Sequence, residues 1–261
     1  SRMADDDSGR MMRAALQKRG VDDRFVFSDP DTGTSTCIVL IKETAQRSFL
    51  TFKGCLRNFG DGDIDYTCVR QARLVSIGGL FSLPSFDRSA SIRLLQAAKD
   101  AGCITVVDTK YDAFHIGLQG IGNLLEYTDY FFPSYDEAAA LSGLTEPAQI
   151  ARFFRSRGAK HVGVKLGADG CYVCSNAFCG TVAPFCTSVL DTTGAGDNFM
   201  AGLIHGVLRG WTIQDCVTFA NAAGALACSR LGATSDLDYL QPIRNILSQT
   251  EAGTRLVKEG I

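Results

Sequence analysis

Leu74-Val75-Ser76-Ile77-Gly78, a helical span over 87–101, and Ile104-Thr105-Val106-Val107-Asp108 together decide the architecture. Two short runs rich in β-branched residues are joined by a span of helical length, the pattern of a parallel β-α-β crossover. The alternation continues. Strand patterns fall at 129–132, 161–165, 171–174 and 180–184, and helical patterns at 135–142, 147–158, 195–209 and 212–230. Repeated units of this length predict an α/β fold with a mostly parallel central sheet and helices on both faces. Ligands in such folds gather at the carboxyl ends of the strands, where Gly78, Asp108, Pro133, Lys165 and Asp191 are expected.

The rhythm in front of residue 73 differs. The opening Ser1-Arg2-Met3-Ala4-Asp5-Asp6-Asp7 reads as a turn before a helix over 8–19, which Gly20 ends. Extended segments at 25–27, 35–41 and 48–52, separated by polar turns at 29–33 and 42–46, suit antiparallel hairpins with no intervening helix. We divide the chain accordingly into an α/β domain, 1–24 with 54–261, and a small β sheet over 25–53.

With 261 residues and 46% apolar content, the chain can bury a substantial core. A net charge of −2 and the lack of any basic stripe argue against a nucleic-acid partner. Apolar runs are strand-length, so no membrane span is expected. Most of the ten cysteines sit in apolar runs and behave as buried hydrophobes, which reads as reduced thiols in a cytoplasmic protein. Cys171 and Cys174 lie three apart in a strand pattern and face opposite sides, against a zinc site with Cys179 and Cys186.

The chemistry concentrates in Asp191-Thr192-Thr193-Gly194-Ala195-Gly196-Asp197, between an extended segment and a helix carrying Phe199, Leu203 and Val207 on one face. Glycines at 194 and 196 allow a tight turn that presents backbone N–H groups at the positive end of the helix dipole, an anion site. An acid inside such a turn would repel phosphate unless it had a task, such as accepting a proton from an attacking hydroxyl. The spacing matches neither a P-loop nor a dinucleotide-binding fingerprint.

Asp191-Thr-Thr-Gly-Ala-Gly-Asp-Asn-Phe-Met-Ala-Gly202 resembles the C-terminal signature of the ribokinase-like, or PfkB-type, carbohydrate kinases. Further stretches are similar to that family: Met3–Gly9 with Leu16 and Gly20-Val21-Asp22; Thr34, Thr36 and Gln46-Arg47-Ser48-Phe49; Leu166-Gly167-Ala-Asp-Gly170; and Phe219-Ala-Asn221-Ala-Ala through Arg230-Leu-Gly232-Ala233. The resemblance implies a ribokinase-like three-layer fold with a small antiparallel β lid, and an ATP- and Mg2+-dependent kinase acting on a sugar or sugar-like alcohol. It makes Asp197 the catalytic base and Gly194, Ala195 and Gly196 the anion hole. Gly167, Gly170 and Asn221 would border the nucleotide, and Lys165 either reaches a phosphate or caps the strand end. A monovalent cation (K+) would be held by Asp191, Thr193, Ala227, Arg230, Gly232 and Asp236, mostly through backbone oxygens.

Departures from the family pattern accompany these matches. The Mg2+- and phosphate-linked N-x-x-E appears as Ser134-Tyr-Asp-Glu137, which keeps Glu137 and replaces the Asn by Ser. Asp108-Thr-Lys-Tyr-Asp112 stands where many sugar kinases carry "DPN", which leaves Lys110 three readings: a contact to phosphate, a contact to an acidic substrate, or a surface lysine. The family's opening strand–helix–strand portion is missing ahead of Ser1, and about 50 further residues are expected there. The lid suggests a homodimer. A nucleoside kinase of the same superfamily, a non-catalytic sugar- or nucleotide-binding regulator and a dinucleotide-dependent oxidoreductase are the competing readings.

Overall fold

The computed structural model describes residues 1–41, 47–234 and 240–258. The turn at 42–46 and the candidate cation ligand Asp236 lie outside the described residues. The main unit runs α2 (Tyr66–Gln71), β5 (Leu74–Leu80), α3 (Ser89–Asp100), β6 (Ile104–Thr109), α4 (Gly117–Gly120), β7 (Tyr130–Phe131), α5 (Tyr135–Ser142), α6 (Pro147–Arg155), β8 (His161–Lys165), β9 (Cys171–Cys174), β10 (Cys179–Val182), α7 (Ala195–Leu208) and α8 (Ile213–Cys228). Its six-stranded sheet has the order β10-β9-β8-β7-β6-β5. Strands β5 to β8 are parallel, while β9 and β10 are antiparallel. This is the mostly parallel α/β sheet predicted from the β-α alternation.

The side-chain period of two distributes the strands between two cores. Val107, Phe131, Val162 and Val164 pack with Leu95, Ile150 and Phe154 on one face. Val106, Phe132, Cys171 and Val173 pack with Phe199, Leu203 and Val217 on the other. Helices α7 and α8 approach closely because Gly202 faces Ala220: a Cβ built on Gly202 would stand 2.9 Å from the Ala220 Cα. Two further helices, α9 (Leu240–Leu247) and α10 (Glu251–Lys258), cover α8 through Ile243, Leu247 and Leu256. No helix among the described residues is long and apolar enough to cross a membrane.

The front of the chain departs from its sequence reading in two places. Arg2–Ala4 forms a strand, β1, ahead of α1 (Asp7–Lys18), where a turn was expected. The segment around Phe27 does not join the hairpins. As β2 (Phe27–Asp29) it pairs in parallel with β1, and the Arg2 guanidinium bonds Asp29 and Asp63. The separate antiparallel sheet is β3 (Thr36–Ile41) with β4 (Arg47–Phe52) alone. Parallel pairing needs a crossover, and α1 supplies it. Asp6 fixes the lid base to this unit: it caps α1 through Gly9 N–H and accepts from Thr34 N–H and Oγ1, contacts that hold its pKa down to about 2.

The reading of all ten cysteines as thiols is also corrected. Cys174 and Cys179 are joined by a disulfide, because they are direct cross-strand partners in the β9–β10 hairpin. Cys171 faces the opposite core from Cys174, and burial pushes its thiol up to about 12.

Candidate active site

Helix α7 begins with Gly194 in the left-handed region at φ 79°, a conformation suited to glycine. A Cβ there would also meet the Ala233 backbone at 2.6 Å. The turn thus brings residues 192–196 against the 232–233 segment, and Asn198 Nδ2 donates to Gly194 O (2.9 Å). The first backbone N–H groups of a helix have no carbonyl four residues back, so this N-terminus offers donors and a positive dipole end to an anion. Asp197, in the first turn, is 69% exposed. Asp191 does not end a strand as expected; no strand of the described residues includes 183–191. It is buried, and its carboxylate accepts from Thr193 N–H (2.8 Å) and Gly232 N–H (2.9 Å), tying the two segments together.

A cavity of about 460 Å³ runs up to this turn. Lys165, Gly167, Gly170, Ala195, Gly196 and Asn221 all line it. Its remaining wall is mostly apolar, with Pro184, Phe185, Val189, Phe199 and Ala225. Asn221 shapes this wall, since its Nδ2 donates to the carbonyls of Val182 and Ala183 (3.1 and 2.9 Å) and so fixes the chain entering Pro184-Phe185. Gly167 and Gly170, both at positive φ, turn the loop from β8 to β9 around the cavity mouth.

A buried polar chain links the cavity to neighbouring strand ends. Lys165 Nζ donates to Asp108 Oδ1 at 2.7 Å, and both side chains are largely buried. A Cβ built on Gly196 would lie 3.6 Å from the same Nζ, so the ammonium stands beside the glycine turn. Burial holds the Asp108 carboxyl above its ordinary range against the pull of Lys165, with the nearby Glu137 charge adding to the rise. Thr109 Oγ1 and Ser134 N–H both donate to Glu137 Oε2 (2.8 and 3.1 Å). Neither Ser134 nor Glu137 lines the cavity, and Ser134 is joined to cavity-lining Lys165 by a parallel β-bridge. On the other side of the turn, Lys110 Nζ stands 4.0 Å from Asp197 Oδ1.

Ala227 closes the last turn of α8, and Arg230 N–H donates to its carbonyl (3.2 Å). Among the described residues no three His, Cys, Asp or Glu side chains converge as a metal cluster. The wall residues Pro184, Phe185 and Val189 were not singled out as site residues from sequence. Asp108 was signalled by its place at a strand end and in the segment standing for "DPN", but not as the partner of Lys165.

This combination of sheet, glycine turn and acid defines a phosphotransferase. The chain matches the model of the pfkB family carbohydrate kinases over residues 1–239 and belongs to that family. It is similar to an "Uncharacterized sugar kinase" of Archaeoglobus fulgidus, 27% identical over 236 residues, covering 90% of this chain and 92% of the relative. It is also similar to Fructokinase-1 of Oryza sativa subsp. japonica, 25% identical over 252 residues, covering 90% of this chain and 78% of that protein. The solved Arabidopsis thaliana ribokinase complexed with ribose and ATP superposes with a TM-score of 0.75 at 27% identity, covering 89% of this chain and 76% of that one.

Proposed function

We propose that this kinase transfers the γ-phosphoryl group of ATP, with Mg2+, to a hydroxyl of a sugar or sugar-like acceptor. One observation carries the reading. An apolar cavity large enough for a nucleotide's flat base and ribose ends at the N-terminus of α7, and an exposed carboxylate, Asp197, stands in that helix's first turn. The related ribokinase bound to ribose and ATP supports the same pair of substrates.

Asp197 takes the proton of the attacking hydroxyl, while the backbone N–H groups of the Gly194-Ala195-Gly196 turn hold the phosphoryl oxygens. Lys165 faces the nucleotide's phosphates from inside the cavity. Glu137, fixed by Thr109 and Ser134, suits the mode in which a single carboxylate and the phosphates hold Mg2+. That ion would neutralise charge on the phosphates. The reading extends to K+ beside the turn, where Asp191 bonds Thr193 and Gly232 and where Arg230 meets Ala227.

The lid presents Ile38, Leu40, Leu50 and Phe52 to solvent, and the β3–β4 register sets Ile38 opposite Leu50. We assign this apolar face to contact with a second copy of the chain. The kinase reading is tested by Asp197→Asn. ADP release with the best acceptor should fall about 1000-fold or more, while ATP still binds in calorimetry. Turnover at the wild-type rate would remove Asp197 from its assigned role.

A further inference from the structure

A second cation, apart from Lys165, stands near Asp197. Lys110 follows β6, and its stem lies over Gly79, where a built Cβ would stand 3.1 Å from Lys110 Cγ. Its ammonium is half exposed, 4.0 Å from Asp197. Lys110 does not line the 460 Å³ cavity. It lines a second hollow of about 320 Å³ with Tyr111, Asp112, His115 and Glu137. Gly78 and Gly79, at the end of β5, line a separate hollow of about 290 Å³ with Leu83 and Asp87.

The acids nearby are occupied by other donors. Asp108 is bonded to Lys165 and to Thr109 N–H. Glu137 accepts from Thr109 and Ser134. Asp112 spends one oxygen on Ile116 N–H (3.0 Å) and the other on Gly117 N–H (2.7 Å). Among the described residues, Asp197 is the one carboxylate within ion-pair range of Lys110. When Asp197 takes up the hydroxyl proton its negative charge is neutralised, and among the described residues no other carboxylate lies within ion-pair range of the Lys110 ammonium. A compact, strongly hydrated point charge gains little from neutral hydroxyls and much from a carboxylate or phosphate.

We propose that the acceptor carries its own anion, either a sugar carboxylate or a sugar phosphate, and that Lys110 determines this selectivity. The inference rests on the kinase reading above. In the step itself, the acceptor oxygen forms a bond to the γ-phosphorus as the bond to the β–γ bridging oxygen breaks. The electron pair leaves on ADP, and the hydroxyl proton passes to Asp197.

The test is kcat/KM by ADP release for the full chain with ATP and Mg2+, over matched neutral sugars, sugar acids and sugar monophosphates. Direct binding of the same acceptors is followed by calorimetry. Expected is a preference for one anionic set over its neutral counterpart, and the set preferred distinguishes carboxylate from phosphate. Lys110→Met should lower that selectivity about 10- to 100-fold, and Lys110→Arg should restore most of it. A neutral sugar as the best acceptor overturns the proposal. So does an equal loss on every acceptor in Lys110→Met, which would place the lysine on the transferred phosphoryl group. If no acceptor turns over while ATP binds, anionic sugars that bind the wild type and not Lys110→Met still support it, and their failure to bind overturns it. Absence of both turnover and ATP binding would instead sink the kinase reading.

Discussion

Lys165 and Asp108, 57 residues apart in sequence, meet at 2.7 Å beneath the glycine turn that opens α7. The pair joins the ends of β6 and β8, and its cationic member faces the cavity. Removing one partner leaves the other charge buried and alone, which costs about 3–5 kcal/mol. Lys165→Met should therefore destabilise the protein by that order in denaturant unfolding. Asp108→Leu with Lys165→Met should recover most of the stability, yet not the ATP affinity, because the cation we assign to the phosphates is still gone. Equal recovery of both would show that Lys165 has no role beyond the ion pair.

Asp87 is a buried carboxyl that accepts from Leu83 N–H, and burial raises its pKa to about 6. The folded state thus holds its proton more tightly than the unfolded chain. Its contribution is fully present below about pH 4 and is lost as pH rises through 6. Asp87→Asn should flatten the pH dependence of unfolding between about pH 4 and pH 6. An unchanged slope in urea titrations across that window would contradict the assignment.

Gly202 has no room for a side chain against Ala220. Gly202→Val should push α7 from α8 and destabilise by about 1–3 kcal/mol, read as a lowered Tm. The displaced helix carries Asp197, so kcat should fall further than stability alone explains.

Leu50 is 58% exposed on the same face as Ile38. Leu50→Asp should convert a dimer at micromolar concentration to a monomer in sedimentation, with the melting curve of the isolated chain little changed. A wild-type monomer under those conditions would remove the second copy from this face.

Much of this architecture was legible in the sequence because its signals are local. Periodicity located the strands and helices of the main sheet, and 171–174 alternated between two cores as its spacing required. Where it failed, the deciding partner was distant. Residues 1–7 contain no run long enough to announce a strand, and Arg2–Ala4 becomes one because α1 returns Phe27–Asp29 beside it. Cys174 and Cys179 were weighed from sequence as zinc ligands and read as reduced thiols, and the hairpin register sets them opposite each other.

By itself the sequence determined the β-α alternation, the lid hairpin and the glycine turn with its acid. These depend on side-chain period, backbone freedom at Gly194 and the dipole of the helix that follows. Only the tertiary structure decided that Lys165 is anchored by Asp108, that Asn221 holds the cavity wall, and that Lys110 stands 4.0 Å from Asp197. Charge and hydrogen-bond partners act over a few ångströms of space. Which residues share that space is fixed by strand order and helix packing, and no local pattern encodes it.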